Sequence, residues 1–122
     1  MTTSKKTLVL GASTNESRYS NMAVKRLLQH GHEVAAIGAK GGEIEGTAIQ
    51  IGQPAFAALD TVTLYLNPTN QQAYYDYILG LHPKRIIFNP GTENPELEEL
   101  ATKNNIEVTE ACTLVLLSTG QY

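Results

Sequence analysis

The sequence is poor in cysteine, in long hydrophobic runs and in positive charge, and each shortage excludes a class of protein. The single cysteine, Cys112, rules out an internal disulfide and fits a reducing compartment. No apolar run approaches the roughly 20 residues that cross a bilayer. A formal charge of −3 argues against nonspecific nucleic-acid binding, which needs a basic surface. We therefore expect a cytoplasmic protein without a membrane or nucleic-acid partner.

The composition and length suit one ordinary folded domain. Hydrophobic residues make up 42% of the 122 positions and charged residues 17%, a balance that excludes a disordered chain. The apolar segment 8–10 ends in a glycine and is too short for a secretory signal. We expect residues 1–122 to form a single domain.

Short β-rich runs alternate with helical stretches along the chain. The predicted strands are 7–10, 33–37, 47–51, 62–66, 85–88 and 106–109. The predicted helices are 21–29, a short turn at 54–59, a helix that begins at Pro68, a helix that begins at Pro95, and a terminal segment at 112–117. This alternation predicts an α/β fold, a Rossmann-like three-layer αβα domain with a mainly parallel, twisted sheet of five to six strands.

Such sheets bind ligands outside the carboxyl ends of their strands, so the loops 11–20, 38–46, 67–68 and 89–94 are candidate sites. In the first loop, Gly11 permits a sharp turn, and Ala12 and Ser13 are small enough for a phosphate to approach the backbone N–H groups. The full dinucleotide spacing, G-x-G-x-x-G, is absent, and the loop is longer than a dinucleotide needs. The loop is therefore either an ordinary tight turn or a cradle for phosphates placed differently from those of NAD.

The second loop carries a cation where an NAD-binding domain carries an acid. In those domains an acidic residue at the end of the second strand holds the ribose hydroxyls. Here Gly38 and Ala39 follow the strand, and Lys40 comes next. A lysine in this place suits a phosphorylated ribose, which NADP and coenzyme A (CoA) both carry; the alternative is a solvated lysine in a flexible loop.

The two later loops open with asparagine and proline, as Asn67-Pro68 and Asn89-Pro90-Gly91. Helix capping and turn chemistry account for these residues. Caps and turns at the ligand edge of a sheet can also line a pocket.

Complete catalytic sets are absent from the sequence. His30, His32 and His82 have no recognisable metal-binding spacing with Cys112. We interpret His30 and His82 as surface residues, and Cys112 as a buried structural thiol rather than a nucleophile. Neither a nucleophile elbow nor a P-loop is present.

Several segments together resemble one family. They are Leu8-Val-Leu-Gly-Ala-Ser13, Leu28-Gln-His-Gly-His-Glu-Val34, Asn89-Pro-Gly-Thr-Glu-Asn-Pro-Glu-Leu97, and Cys112 followed by an apolar run. The chain resembles, over nearly its whole length, the small stand-alone CoA-binding proteins often called YccU-like. It is also similar to the N-terminal CoA-binding domain of the succinyl-CoA synthetase alpha subunit. The segment 38–42 is closer to the synthetase loop, because the small proteins usually have Asn-Pro after the second strand.

The resemblance implies a ligand, coenzyme A or an acyl-CoA, and its site. In the family the first loop holds the CoA phosphates, the second lies by the phosphate–adenosine part, and later loops contact the adenine and the pantetheine arm. The implied binding residues are Gly11, Ala12, Ser13, Arg18, Tyr19, Ser20, Gly38, Ala39, Lys40, Asn67, Pro68, Asn89, Pro90 and Gly91. The synthetase's phosphorylated histidine lies on a second domain, so the resemblance implies CoA binding without ligase chemistry or complete catalytic machinery.

Other functions fit the same fold. One is an NAD(P)-linked or flavin-linked oxidoreductase, or a nucleotide-sensing domain, although the missing glycines and the missing acid count against it. Another is a scaffold whose ancestral pocket is empty. The sequence is also compatible with a homo-oligomer or an unidentified protein partner.

Overall fold

A computed structural model describes residues 4–122 and contains a seven-stranded sheet in that range. The strands are β1 Thr7–Leu10, β2 Val34–Ile37, β3 Gly42–Ile44, β4 Thr47–Gln50, β5 Thr61–Leu64, β6 Arg85–Phe88 and β7 Glu107–Glu110. Their order across the sheet is β3-β4-β2-β1-β5-β6-β7. All neighbouring pairs are parallel except β3 and β4. The predicted, mainly parallel sheet is confirmed, with one strand more than the five to six expected.

The additional strand, β3, forms an antiparallel hairpin with β4 across the turn Glu45-Gly46. Both turn residues have positive φ, 46° and 86°, as a type I′ turn requires. Glutamate is an unusual residue for that conformation, so the dipeptide lacks the Asn-Gly or Asp-Gly signal of a hairpin. The segment 38–46, predicted as one loop, is therefore a short connection followed by a strand and a turn.

Within residues 4–122, five α-helices cover the two faces of the sheet. They are α1 Tyr19–Gln29, α2 Pro68–Gln71, α3 Tyr75–Leu81, α4 Pro95–Lys103 and α5 Thr113–Ser118. The helices α1 and α5 pack on the face that buries Val9, whereas α3 and α4 pack on the face that buries Leu8 and Leu10. Side chains alternate between faces along β1, which gives the predicted three-layer αβα architecture. None of these helices is long and apolar enough to cross a membrane.

The helix predicted from Pro68 is present in three pieces. Asn67 caps α2 by accepting a hydrogen bond from the Asn70 N–H (2.8 Å), and Pro68 occupies the first helical position, as predicted. A 3-10 segment, Gln72–Tyr74, then connects α2 to α3. Short 3-10 pieces are common connectors.

The prediction of a short helical turn at 54–59 is wrong. Ala58 has a φ of 57°, which a right-handed helix does not permit. The segment instead follows tertiary contacts, because the Pro54 carbonyl accepts a hydrogen bond from the Tyr77 hydroxyl and Leu59 is buried.

The end of β5 differs from the predicted strand 62–66 in a way that matters for the site. Pairing of β5 with β1 and with β6 stops at Leu64. Tyr65 and Leu66 therefore belong to the loop beyond the carboxyl end of the strand. The remaining predicted strands agree with the structure to within one residue at each end.

Candidate functional site

A cavity of about 820 Å³ opens at the carboxyl ends of β1, β2, β5 and β6. This volume lies in the range of roughly 300–1,000 Å³ that is typical of small-molecule sites. β1 lies between β2 and β5, so the connections on its two sides diverge there, which is the switch point where doubly wound sheets bind ligands. The lining residues are Gly11, Ala12, Ser13, Thr14, Asn15, Arg18, Tyr19, Ser20, Ala39, Lys40, Tyr65, Leu66, Asn67, Asn70, Pro90, Gly91 and Thr92.

Most of the predicted binding residues meet in this cavity. They are Gly11, Ala12, Ser13, Arg18, Tyr19, Ser20, Ala39, Lys40, Asn67, Pro90 and Gly91. Gly38 lines a smaller adjoining cavity of about 320 Å³. Pro68 and Asn89 line neither cavity. Contact between any of these residues and a ligand stays a prediction.

Asn89 connects three elements of the fold at the carboxyl ends of the strands. Its buried side chain donates from Nδ2 to Thr63 Oγ1 (2.7 Å) and to the Leu64 carbonyl (2.9 Å). Its Oδ1 accepts a hydrogen bond from the Thr113 N–H (2.8 Å). The side chain therefore joins the carboxyl ends of β5 and β6 to α5, and its hydrogen-bonding groups are occupied by the protein.

The first loop is held in shape by β2 and α1. The Gly11 and Ala12 N–H groups both donate to the Ile37 carbonyl, at 2.9 and 2.8 Å. Asn21, a buried residue of α1, donates from Nδ2 to the Ser13 carbonyl (3.0 Å). Because a trans peptide directs its C=O and N–H in opposite directions, the Thr14 N–H points away from Asn21. The sequence did not mark Asn21 because it predicted residue 21 as the first of the helix, whereas α1 begins at Tyr19.

The N-terminus of α1 lacks the side-chain cap that α2 and α4 have. The side chain of its N-cap residue, Arg18, makes no capping hydrogen bond, and its first turn has no acidic residue. Among residues 4–122, the N–H groups of Tyr19 and Ser20 have no acceptor. Asn67 and Asn94, by contrast, cap α2 and α4. The α1 end therefore presents free donors and the positive end of a helix dipole at the cavity wall.

The described cavity lining carries positive charge and no carboxylate. Its charged residues are Arg18 and Lys40, and both are exposed. The chain as a whole has a formal charge of −3, so the charge of the cavity lining is opposite in sign to that of the whole chain. A locally positive concave surface favours an anionic ligand.

Six lining residues lie outside the predicted set: Thr14, Asn15, Tyr65, Leu66, Asn70 and Thr92. Thr14, Asn15 and Thr92 fall inside loops that the sequence marked as candidates. Tyr65 and Leu66 look like a continuation of β5, because their apolar character suits a strand. Asn70 lies three residues after Asn67, a helical spacing that puts both on one face and could have indicated it.

Tyr65 contributes a neutral phenol beside the cavity. Its hydroxyl is buried and has no hydrogen-bond partner among the described residues. Burial raises the pKa of Tyr65 to about 12, although the nearby Thr113 and Thr63 hydroxyls oppose the shift. The phenol therefore stays protonated at neutral pH and adds no negative charge to the site.

The cysteine and histidine side chains lie outside the cavity lining. Cys112 is half-buried at the N-cap of α5, so the prediction of a buried thiol is wrong in degree. His30 and His82 are exposed, as predicted, whereas His32 is buried. Residues 4–122 contain no group of three or more side chains suited to hold a metal ion.

The fold and the position of the cavity are those of a Rossmann-type α/β domain. A family model described as "CoA binding domain" matches residues 5–118. The chain therefore belongs to the CoA-binding domain family. No curated protein matches the sequence significantly.

Known structures share this fold. A crystal structure of an uncharacterized protein is 52% identical, covers 99% of this chain and 100% of that chain, and superposes with a TM-score of 0.96. A conserved hypothetical protein from Pyrococcus furiosus is 25% identical over 86% of this chain and 91% of that chain, with a TM-score of 0.75. A hypothetical protein from Pyrococcus horikoshii OT3 is 23% identical over 95% of this chain and 83% of that chain, with a TM-score of 0.83, and it shows likeness of fold alone.

Proposed function

We propose that this protein binds coenzyme A or an acyl-CoA through the loops that follow β1, β2, β5 and β6. In this proposal it is a binding module, and any chemistry on the acyl group belongs to another protein. The observation that carries the proposal is the uncapped N-terminus of α1 beside a cavity whose charged residues are Arg18 and Lys40. Family membership supports the choice of CoA as the ligand.

The pyrophosphate of CoA is assigned to the space between the first loop and α1. Ser13, Thr14, Tyr19 and Ser20 supply backbone N–H groups that have no acceptor among the described residues. Oriented N–H groups at a helix N-terminus bind phosphate without a charged side chain, and Arg18 adds a positive charge. The small side chains at 12 and 13 leave room for the phosphate oxygens.

The other parts of CoA follow from this placement. Lys40 lies in the loop after β2 and is assigned to the 3′-phosphate of the ribose. The pantetheine arm contains two amides and needs hydrogen-bonding groups along its length. Asn67 and Asn70 offer such groups in the lining after β5, and Thr92 Oγ1, which donates to the Asn89 carbonyl, can still accept a hydrogen bond.

The main competitor is a phosphorylated dinucleotide, because NADP also carries a phosphate that Lys40 could bind. Thermal shift measurements with CoA, dephospho-CoA, NAD and NADP at matched concentrations separate the two. A ligand that binds only the native state raises its stability by about 2.7 kcal/mol at a hundredfold excess over Kd. We expect the largest shift with CoA. A larger shift with NAD or NADP would replace this proposal with a dinucleotide site, and no shift with any of the four would refute it.

A further inference from the structure

The side chain of Gln71 is fully buried, and its amide group is saturated with hydrogen bonds. Its Nε2 donates to the Leu66 carbonyl and to the Thr92 carbonyl, both at 2.8 Å. Its Oε1 accepts a hydrogen bond from Asn94 Nδ2 (2.9 Å). A polar side chain this buried is retained in a fold only when its hydrogen bonds are satisfied, as they are here.

The two carbonyl groups that Gln71 binds belong to different loops of the cavity. Leu66 follows β5 and Thr92 follows β6, and both residues line the cavity. Among residues 4–122, no other side chain makes hydrogen bonds to the backbone of both loops. The amide of Gln71 therefore links the two loops directly, beyond the bond that Asn89 makes to the end of β5.

Asn94 extends this link to the helices. Its Oδ1 caps α4 by accepting from the Leu97 N–H (3.3 Å), while its Nδ2 donates to Gln71 and to the Tyr75 hydroxyl (2.8 Å). The ends of α2, α3 and α4 thus meet in one polar network, which is buried at Gln71 and Asn94 and half-buried at Tyr75. Networks of this kind rigidify their surroundings when every member is satisfied.

We infer that Gln71 is a positioning residue that sets the separation of the β5 and β6 loops and thereby the width of the cavity. Its effect on CoA rests on the proposed function, whereas its effect on the loops does not. Removing the amide would leave the buried Thr92 carbonyl and the part-buried Leu66 carbonyl unpaired, and the loops would have to move apart or admit water to satisfy them. The pantetheine side of the cavity would change, while the α1 side would not.

Two variants and a matched control test this inference. Gln71→Met keeps the length of the side chain but removes every hydrogen bond, and Gln71→Glu keeps the acceptor for Asn94 but removes the two amide donors. Gln72→Met is the control, because Gln72 is the next residue and is exposed. Calorimetric titration with CoA and with adenosine 3′,5′-bisphosphate, the nucleotide half of CoA, gives the two affinities well below the melting temperature of each variant.

We expect both Gln71 variants to bind CoA about tenfold more weakly, the scale of one hydrogen bond. Their affinity for adenosine 3′,5′-bisphosphate should stay within about twofold of the wild type, because that ligand lacks the pantetheine arm. A general loss of stability would weaken both ligands together. Unchanged CoA affinity, or equal losses for the two ligands, would overturn the positioning role.

Amide hydrogen exchange without ligand separates this inference from the proposed function. We expect faster exchange in the Gln71 variants at 65–67 and 91–93, and wild-type rates in α1. If the wild type does not bind CoA, the proposed function fails, but localised faster exchange would still support the role of Gln71 in the loops. Unchanged exchange there, or loss of the fold in both Gln71 variants, would make Gln71 an ordinary core residue and overturn the inference.

Discussion

Gly38 lies so close to Ala12 that a Cβ at residue 38 would be 2.3 Å from the Ala12 carbonyl oxygen. The same Cβ would lie 2.9 Å from the side chain of Ile49 on β4. The end of β2 can therefore support the first loop only because residue 38 has no side chain. The structure gives Gly38 a packing role between two segments of protein, and its contact with a ligand stays a prediction.

Gly38→Ala is expected to lower the free energy of unfolding by roughly 1–3 kcal/mol, the scale of overpacking in a tightly packed region. It should also weaken CoA binding, because the contacted atoms belong to the backbone of the first loop and cannot move without displacing it. Denaturant unfolding measures the first effect, and calorimetric titration measures the second.

Gly41→Ala is the matched control for this change. A Cβ at residue 41 would meet its nearest atom at 3.7 Å, an ordinary van der Waals contact. We expect nearly wild-type stability and affinity for this variant. Wild-type stability of Gly38→Ala would show that the first loop adapts easily and that the close approach is unimportant.

Features with a local cause could be predicted from the sequence. Asn67 and Asn94 cap helices through hydrogen bonds that span three residues, and Gly31 ends α1 with a φ of 82°. The alternation of apolar strands with helices predicted the parallel sheet, and the parallel sheet predicted the edge where the cavity lies.

Features that depend on distant residues could not be predicted. Gln71 and Asn21 are polar residues in helices, and only the folded chain shows that they hold the loops at the cavity. Asn89 has the composition of a turn residue, yet its partners Thr63 and Thr113 lie 26 and 24 residues away. The sequence therefore predicts the position of the site better than it predicts the residues that hold the loops around it.

His32 lies just before β2, at the opposite end of the strands from the cavity, and should make the free energy of unfolding depend on pH. Its Nδ1 accepts a hydrogen bond from the Lys5 N–H (3.0 Å), which requires a neutral ring. Burial lowers the pKa of His32 below its usual 6.5, and the nearby His30, Lys5 and Arg85 lower it further. The unfolded chain therefore binds this proton more readily than the folded protein does. The stabilisation is complete above pH 6.5 and is lost as the pH falls through the lowered folded pKa.

We expect His32→Gln to reduce the free energy of unfolding at neutral pH and to flatten its fall as the pH drops below about 6.5. Denaturant melts across this range measure both effects. His82→Asn is the control, because His82 is exposed and asparagine tolerates its φ of 51°. Parallel pH profiles for the wild type and His32→Gln would contradict the assignment, since other groups that titrate in the range are shared by both proteins.

Ser13→Tyr tests the phosphate cradle of the first loop. Ser13 lines the cavity, and a bulky side chain there should abolish CoA binding by filling the space beside the backbone donors. The change removes one hydrogen bond, from the Asn15 N–H to Ser13 Oγ (3.1 Å), at an exposed position. We therefore expect the free energy of unfolding without ligand to change by about 0.5 kcal/mol or less. Calorimetric titration and denaturant melts measure the two effects.

Ser17→Tyr is the matched control, because Ser17 is exposed in the same loop and does not line the cavity. It should bind CoA with nearly wild-type affinity. Normal affinity in a folded Ser13→Tyr protein would place the ligand elsewhere, and the phosphate-cradle interpretation of residues 11–20 would then be abandoned.

Lys40→Ala identifies which phosphate this side chain binds. If Lys40 binds the 3′-phosphate, the variant should bind CoA more weakly by roughly 1–3 kcal/mol, the scale of a charge-assisted hydrogen bond. Its affinity for dephospho-CoA, which lacks that phosphate, should then hardly change. Lys84→Ala controls for net charge, because Lys84 is exposed just before the amino end of β6, whereas the cavity lies at the carboxyl ends of the strands. Equal losses for the two ligands would move Lys40 to the pyrophosphate. Titration at one fixed salt concentration measures these affinities. Unchanged affinity for both ligands would make Lys40 a solvated loop residue, and Arg18 would then be the charged phosphate ligand of the cavity.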